Sequence, residues 1–167
     1  GEDEDYRSLQ YAYRMGGDRA DCDIVLLHVR PIDQGLATGG LQLRLARENI
    51  LNWGLDLPGI RYLKNGLSVL VEEKEMNNEW TSEMFHSDVD DDPLGDNKIE
   101  YRHLSGRRIV LKLKTAPDVA SGILDQYELG PYNVIILGCE VSGRSRLSSA
   151  LAPRTSEKVA LHAPCSV

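Results

Sequence analysis

The chain has 167 residues, of which 41% are hydrophobic, and this length suits one domain with a substantial core better than two. Its formal net charge is -7. General nucleic-acid binders and binders of acidic membranes need a basic excess that this chain lacks, so any anion site must be local. We therefore predict a single domain over residues 1–167 and no nucleic-acid partner.

Cysteine usage and the first residues of the sequence indicate the compartment. The three cysteines, Cys22, Cys139 and Cys165, are odd in number and lack C-x-x-C spacing, so neither a disulfide scaffold nor a zinc site is predicted. The sequence begins with acidic residues where a secretory signal would be basic, and no apolar stretch approaches the ~18 residues that cross a bilayer. We predict a cytoplasmic protein.

Helices and strands are predicted to alternate in the first part of the chain. A helix is expected from Asp5 to Met15, because apolar residues mark one face and a pair of glycines ends it. Residues 22–30, CDIVLLHVR, form a near-continuous apolar run that is typical of a parallel strand covered on both faces. A second helix is predicted at about 41–53, and residues 66–73, GLSVLVEE, are predicted as a strand.

Residues 72–104 break this pattern, and we predict a flexible acidic insertion there. From Glu72 to Glu100 the segment holds eleven acidic residues against two lysines. Trp80 lies among polar residues in this segment, which makes it a candidate anchor for a partner protein.

The same segment contains the beginning of a calcium-loop spacing. Asp88, Asp90 and Asp92 alternate as such a loop requires, but Pro93 stands where the turn glycine belongs and Ile99 replaces the bidentate glutamate. A solvated acidic loop is favoured over a calcium site. We predict no metal site in this chain.

The alternation resumes after the acidic segment. Residues 107–114, RRIVLKLK, are predicted as a strand with Ile109, Leu111 and Leu113 on one face. Residues 115–130, TAPDVASGILDQYELG, are predicted as a helix, and residues 133–138, NVIILG, as a continuous apolar strand. The expected fold is a three-layer α/β domain with a mainly parallel sheet.

A loop rich in Ser, Gly and Arg follows the last apolar run. In parallel sheets, ligands bind where strands lead through loops into helices, and successive backbone N–H groups in such a loop can hold phosphate oxygens. Arginine side chains there would add positive charge. The candidate nucleotide-binding residues are Gly138, Ser142, Gly143, Arg144, Arg154 and Thr155. A loop that is merely solvated is the alternative.

Short motifs at both ends of the sequence resemble the universal stress protein family. SEKV at residues 156–159 and HAPC at 162–165 resemble the family's last helix, while RSLQYAYRM at 7–15 and DIVLLHV at 23–29 resemble its first helix and second strand. The resemblance covers roughly residues 1–55 and 105–167. It implies a five-strand parallel sheet of adenine-nucleotide-binding type, ATP or another adenine nucleotide as ligand, and a homodimer.

Two departures from the family pattern bear on this resemblance. Pro153 and Arg154 stand where ATP-binding members have a glycine and a Ser or Thr, so the resemblance implies a degenerate nucleotide or anion site in which Arg154 uses its side chain. The family's central strand has no counterpart in the sequence. Either the sequence is a trimmed piece, or another segment such as residues 66–73 replaces that strand.

These observations predict a regulatory or sensory domain and no enzyme, because neither a Ser/His/Asp order nor a carboxylate pair stands out. Domains of the resembled family also occur attached to membrane transporters, which implies contacts with a parent protein and a membrane reached only through that attachment. The alternative function is a structural or interaction module that binds no ligand.

Overall fold

A computed structural model of the chain describes residues 2–17, 19–32, 45, 48–49, 56–90, 92–138 and 155–167. The helices whose bounds lie within these ranges are α1 (Glu2–Gly16), α2 (Pro58–Leu70), α3 (Glu73–Glu79), α4 (Val119–Glu128) and α5 (Thr155–His162). The strands are β1 (Asp23–Pro31), β2 (Trp80–Val89), β3 (Asp92–His103) and β4 (Arg108–Ala116). The helix predicted at about 41–53 lies mostly outside the described residues.

The four strands form one open mixed sheet in the order β1-β4-β3-β2. β1 and β4 are parallel, with Asp23 opposite Arg108 and Pro31 opposite Ala116, whereas β4 with β3 and β3 with β2 are antiparallel. The α/β class is confirmed. The mainly parallel sheet is not found in the described residues, because β2 and β3 are joined by a short turn, and only antiparallel strands can be joined in that way.

Helices cover both faces of the parallel pair. On one face Gly66 of α2 lies against Leu26, and α1 packs beside α2. On the other face a Cβ atom at Gly122 of α4 would lie 2.5 Å from Cγ1 of Val29, so α4 approaches closely because this position has no side chain. Leu26 and Val29 are three positions apart in one strand and therefore point to opposite faces. The layers around β1 and β4 are thus helix, sheet and helix.

The strand predicted at residues 66–73 is wrong, because most of these residues belong to the end of α2. Ile60, Leu63, Leu67 and Val71 recur every three or four positions, and all four are buried in the main core. This helical period is visible only over the twelve residues from Ile60 to Val71. The shorter run of Val and Leu in residues 66–73 fits either element.

The flexible insertion predicted at residues 72–104 is also corrected, because α3, β2 and β3 arise from these residues and supply half of the sheet. The acidic side chains are partly neutralised within the fold. Glu100 accepts hydrogen bonds from Lys98 and Arg102, each at 2.8 Å. Ile99 is 2% exposed and anchors β3 in the core, which the acidic composition of the segment concealed.

Trp80 is a core residue, so its predicted role as a partner anchor is wrong. Its side chain is buried, its Nε1 donates to Glu75 Oε1 at 3.1 Å, and the guanidinium of Arg107 lies 5.3 Å from the ring centre. Arg107 also donates to Glu75 Oε1 at 2.9 Å and to the Tyr13 hydroxyl at 3.2 Å. These contacts tie α1 and α3 to the sheet.

The elements with strong local signals are confirmed, namely α1, β1, β4 and α4, and α5 forms where the resemblance implies the last helix. Asp118 begins α4 by accepting a hydrogen bond from the Ser121 backbone N–H at 3.1 Å, a common helix-capping contact. The strand predicted at residues 133–138 is not formed as a regular element, and only an isolated parallel bridge joins Val134 to Ser166. Within the described ranges, no helix is long and apolar enough to cross a membrane.

Candidate functional site

The predicted nucleotide loop is described only at its two ends. Gly138 is exposed at the end of the segment that follows α4, and Thr155 is the first residue of α5. The other four candidate residues, Ser142, Gly143, Arg144 and Arg154, lie outside the described residues, as does Cys139. The structure therefore describes where the chain enters this loop and where it leaves it.

The chain on either side of this loop is joined by backbone contacts. The Ile135 N–H donates to the Ser166 carbonyl at 2.8 Å, next to the parallel bridge between Val134 and Ser166. Helix α5 lies between these two segments in the sequence, and its Val159 is fully buried. An extended segment, a loop, a helix and a second parallel segment make a crossover unit. Such units bind ligands where the first strand leads into its loop, and Gly138 lies at that point of the sequence.

A second polar group lies at the carboxyl ends of β1 and β4, and we call it the Arg30 cluster (Arg30, Asp92 and Thr115). Arg30 Nη2 donates to Asp92 Oδ1 at 2.5 Å and to Thr115 Oγ1 at 3.1 Å. Thr115 Oγ1 in turn donates to the Gly95 carbonyl at 3.1 Å. The cluster thereby fastens the turn between β2 and β3 to the ends of the parallel strands.

Asp92 is held as a buried carboxylate in this cluster. Its side chain is 0% exposed, and its Oδ1 accepts the backbone N–H groups of Leu94 at 2.9 Å and Gly95 at 3.1 Å. Burial is the largest single influence and acts to raise the pKa of Asp92, but the bonds and charge of Arg30 together with the two amides lower that pKa below its ordinary value. The expected solvated loop is therefore corrected at Asp92, which is buried and paired.

Two atoms of the Arg30 cluster are buried without a hydrogen-bond partner among the described residues, Nε of Arg30 and Oδ2 of Asp92. A buried donor and a buried acceptor of this kind are normally satisfied by ordered water or by a ligand. Sequence reasoning missed the cluster because Arg30 and Asp92 are 62 positions apart. The one available signal was an arginine at the end of an apolar strand.

The polar face of β2, β3 and β4 carries a mixture of charges. Lys98 lies 4.2 Å from the centre of the Phe85 ring and donates to Glu100. Lys112 lies opposite Lys98 in the neighbouring strand. Burial, and to a smaller extent the positive charge of nearby Lys114, lowers the pKa of Lys112. Positive and negative groups alternate here, so this face has no single-sign character that would identify a ligand.

Two histidines make defined contacts within the fold. The His28 ring packs 5.4 Å from the Tyr62 ring, and burial lowers the pKa of His28. His28 therefore has a packing role. His103 bridges Glu79 and Ser105 through its two ring nitrogens, at 2.9 Å and 2.7 Å.

No protein-family model, curated protein or solved structure matches the chain. In the part of the chain that the structure describes, no group of three or more His, Cys, Asp or Glu side chains could hold a metal ion.

Proposed function

We propose that the chain is a regulatory domain of the universal-stress-protein type that binds an adenine nucleotide or a related anion through the loop between Gly138 and Thr155. One observation carries the proposal, namely the parallel contact between Val134 and Ser166 with helix α5 between them in sequence. It supports the proposal because crossover units bind ligands in the loop that follows their first strand, and the residues after Gly138 follow Val134 in that order. A cytoplasmic location, which the cysteine usage favours, belongs to the same proposal. Attachment to a membrane transporter belongs to it as well and rests on the resemblance alone.

The proposed binding combines backbone donors with arginine charge. Gly143 allows the backbone of the loop to approach phosphate oxygens, and Ser142 and Thr155 offer hydroxyl donors. Pro153 has no N–H group, so the phosphate contact on that side comes from the Arg154 guanidinium. The roles of Ser142, Gly143, Arg144 and Arg154 rest on the sequence pattern.

Calorimetric titration with ATP, AMP and a cyclic dinucleotide tests this proposal. We expect saturable binding that falls by about tenfold in Arg154→Ala, since hydrogen bonds to charged groups are worth about 1.5–3 kcal/mol. Gly143→Asp should abolish binding, because it adds both bulk and negative charge. Arg61→Ala removes an exposed arginine of α2 and serves as the matched control that leaves binding unchanged. No heat with any of the three ligands, from a folded sample, would contradict the proposal.

A second candidate function is a protein-interaction module, and a specific feature of β2 favours it. The side chains of Met84 and Phe85 are 61% and 39% exposed on the outermost strand of the described sheet. They are neighbours in sequence and therefore lie on opposite faces of that strand. Met84 and Phe85 therefore replace Trp80 as the candidate anchors for a partner protein.

A further inference from the structure

Strand β2 is one edge of the sheet formed by the described residues. Every residue from Thr81 to Asp88 is exposed, while the partner strand β3 supplies the buried Ile99 and Glu100. An exposed edge of this kind presents unpaired backbone N–H and C=O groups that can bind another strand.

Strand β2 carries few of the features that prevent an edge strand from pairing with a strand of another chain. Residues 81–87 contain neither proline nor lysine. Their pairing with β3 continues without a register shift until Ser87 and Val89. Natural proteins protect edge strands with prolines, lysines or bulges. Seven consecutive residues of β2 are therefore available for regular pairing.

Glu83 is the unusual residue of this edge. It lies directly opposite Glu100 of β3. Glu100 is neutralised by Lys98 and Arg102, whereas Glu83 makes no ion pair with any described residue. Two like charges directly opposite each other destabilise a sheet, so Glu83 would gain from a cation on the open side of β2.

A second copy of the chain supplies that cation in one register. Antiparallel pairing of two β2 strands about a twofold axis perpendicular to the sheet keeps each face on the same side in both copies. With Met84 on the axis, Glu83 of one copy lies opposite Phe85 of the other. Lys98 already lies over that Phe85 ring, at 4.2 Å from its centre. The carboxylate of Glu83 therefore meets Lys98 of the second copy.

The neighbouring registers lack this complementarity. With Glu83 on the axis, two carboxylates face each other directly. With Phe85 on the axis, Glu83 lies opposite Ser87, and the two Lys98 side chains approach across the paired rings. The register with Met84 on the axis also brings together two exposed apolar side chains on the core face, where Met84 lies opposite Ile99 within its own sheet.

We propose that the chain forms a homodimer by antiparallel β2–β2 pairing with Met84 on the twofold axis, which joins two sheets into one. The inference rests on the second candidate function and gives that function its partner. Pairing of a single edge strand buries less area than the roughly 1,200–2,000 Å² of a stable interface, so the dimer is expected to be reversible.

Sedimentation velocity of the 167-residue chain over a range of concentrations tests the dimer. The dimer fraction of the unmodified chain should rise with concentration, and Met84→Lys should weaken association by about tenfold, because two lysines then face each other on the axis. The matched control is Leu104→Lys, since Leu104 is 78% exposed in the turn between β3 and β4. A chain that stays monomeric up to about 1 mM overturns the proposal.

Cysteine cross-linking tests the register and does not depend on the lysine variant folding. In a chain that carries Cys22→Ser, Cys139→Ser and Cys165→Ser, Met84→Cys should form an intermolecular disulfide upon mild oxidation, because residues paired on the axis have Cα atoms about 4.5–5.5 Å apart. Ser82→Cys is the control, since its two copies would lie about 14 Å apart.

Equal cross-linking of both variants, or none with Met84→Cys, overturns the proposed register. The nucleotide titration probes the loop after Gly138 instead. A chain that binds nucleotide and remains monomeric therefore refutes the dimer alone, and a dimer without nucleotide binding refutes the nucleotide site alone.

Discussion

The two halves of the sheet are built on different principles. The half formed by β1 and β4 is parallel and covered by helices on both faces, and its central Leu111 is 0% exposed. The half formed by β2 and β3 is an antiparallel hairpin whose outer strand is exposed from Thr81 to Asp88. Burial on both faces favours the near-continuous apolar run of β1. The second half can carry charge and remain part of the fold.

The hairpin half nevertheless shares the core of the parallel half. Trp80 and Ile99 belong to the same buried cluster as Leu26 and Leu111. At the far end the Arg30 cluster fastens the hairpin turn to the parallel strands. The comparison teaches that an acidic segment can be integral to a domain when its few apolar residues and one buried carboxylate are well placed.

The largest expected effect is in the parallel half. Leu111→Ala should lower the free energy of unfolding by about 4 kcal/mol. Leu111 is fully buried, so its removal leaves a cavity that the packed helices and sheet cannot close by moving together. Urea denaturation measures this change. Leu129→Ala, at a position that is 66% exposed, is the matched control, and its effect should stay under about 1 kcal/mol. Equal losses of stability in the two variants would contradict the burial of Leu111 in the core around β4.

The next effect tests whether the hairpin half is integral to the fold. Trp80→Ala should lower the free energy of unfolding by about 3 kcal/mol, since it removes a buried ring and its hydrogen bond to Glu75. Phe85→Ala, on the exposed part of the same strand, should cost less than about 1 kcal/mol. If residues 72–104 were an independent insertion, Trp80→Ala would leave the main unfolding transition unchanged.

Removal of the buried carboxylate should have a smaller effect. Asp92→Asn leaves Arg30 without its charged partner, and we expect a loss of about 2 kcal/mol at neutral pH, because Arg30 is 22% exposed and can still reach water. Asn keeps an oxygen that can accept the Leu94 and Gly95 N–H groups. A loss below about 0.5 kcal/mol would contradict the anchoring role of the cluster.

The unmodified chain and Asp92→Asn can also be compared at different pH, and the direction in which their stability difference changes is predicted. The folded pKa of Asp92 is lower than its ordinary value, so the carboxylate stabilises the fold fully above the unfolded pKa of about 3.9. This contribution is lost as the pH falls through the folded pKa. The stability difference between the unmodified chain and Asp92→Asn should therefore shrink upon acidification below about pH 4. A difference that grows in acid would show that Asp92 is not held as a carboxylate.

The smallest effect tests how closely α4 approaches the sheet. Gly122→Ala should destabilise the chain by about 1 kcal/mol, because a Cβ atom there would lie 2.5 Å from Val29 and the resulting overpacking outweighs the gain in helix propensity. In α2, Gly66→Ala is the matched change, since its nearest neighbour atom is a flexible Leu9 methyl group at 3.1 Å. Greater stability of the Gly122 variant than of the Gly66 variant would contradict the close packing.

Prediction from the sequence succeeded where one local signal was strong. The continuous apolar run of β1 and the alternation of β4 identified both strands, and α4 lies within the helix predicted at residues 115–130. It was wrong at residues 66–73, where a short apolar run fits a helix or a strand. Of the candidate nucleotide residues, Gly138 and Thr155 alone lie in the described chain, so the nucleotide site stays a prediction.

The sequence by itself determined the α/β class, because hydrophobic periods of two and 3.6 residues are local properties that each segment carries alone. Only the tertiary structure decided that residues 72–104 extend the sheet and that β2 is its edge. It also decided that Asp92 is buried against Arg30. These features depend on pairs of residues far apart in the chain, and whether a charged side chain is buried is determined by the partner it meets.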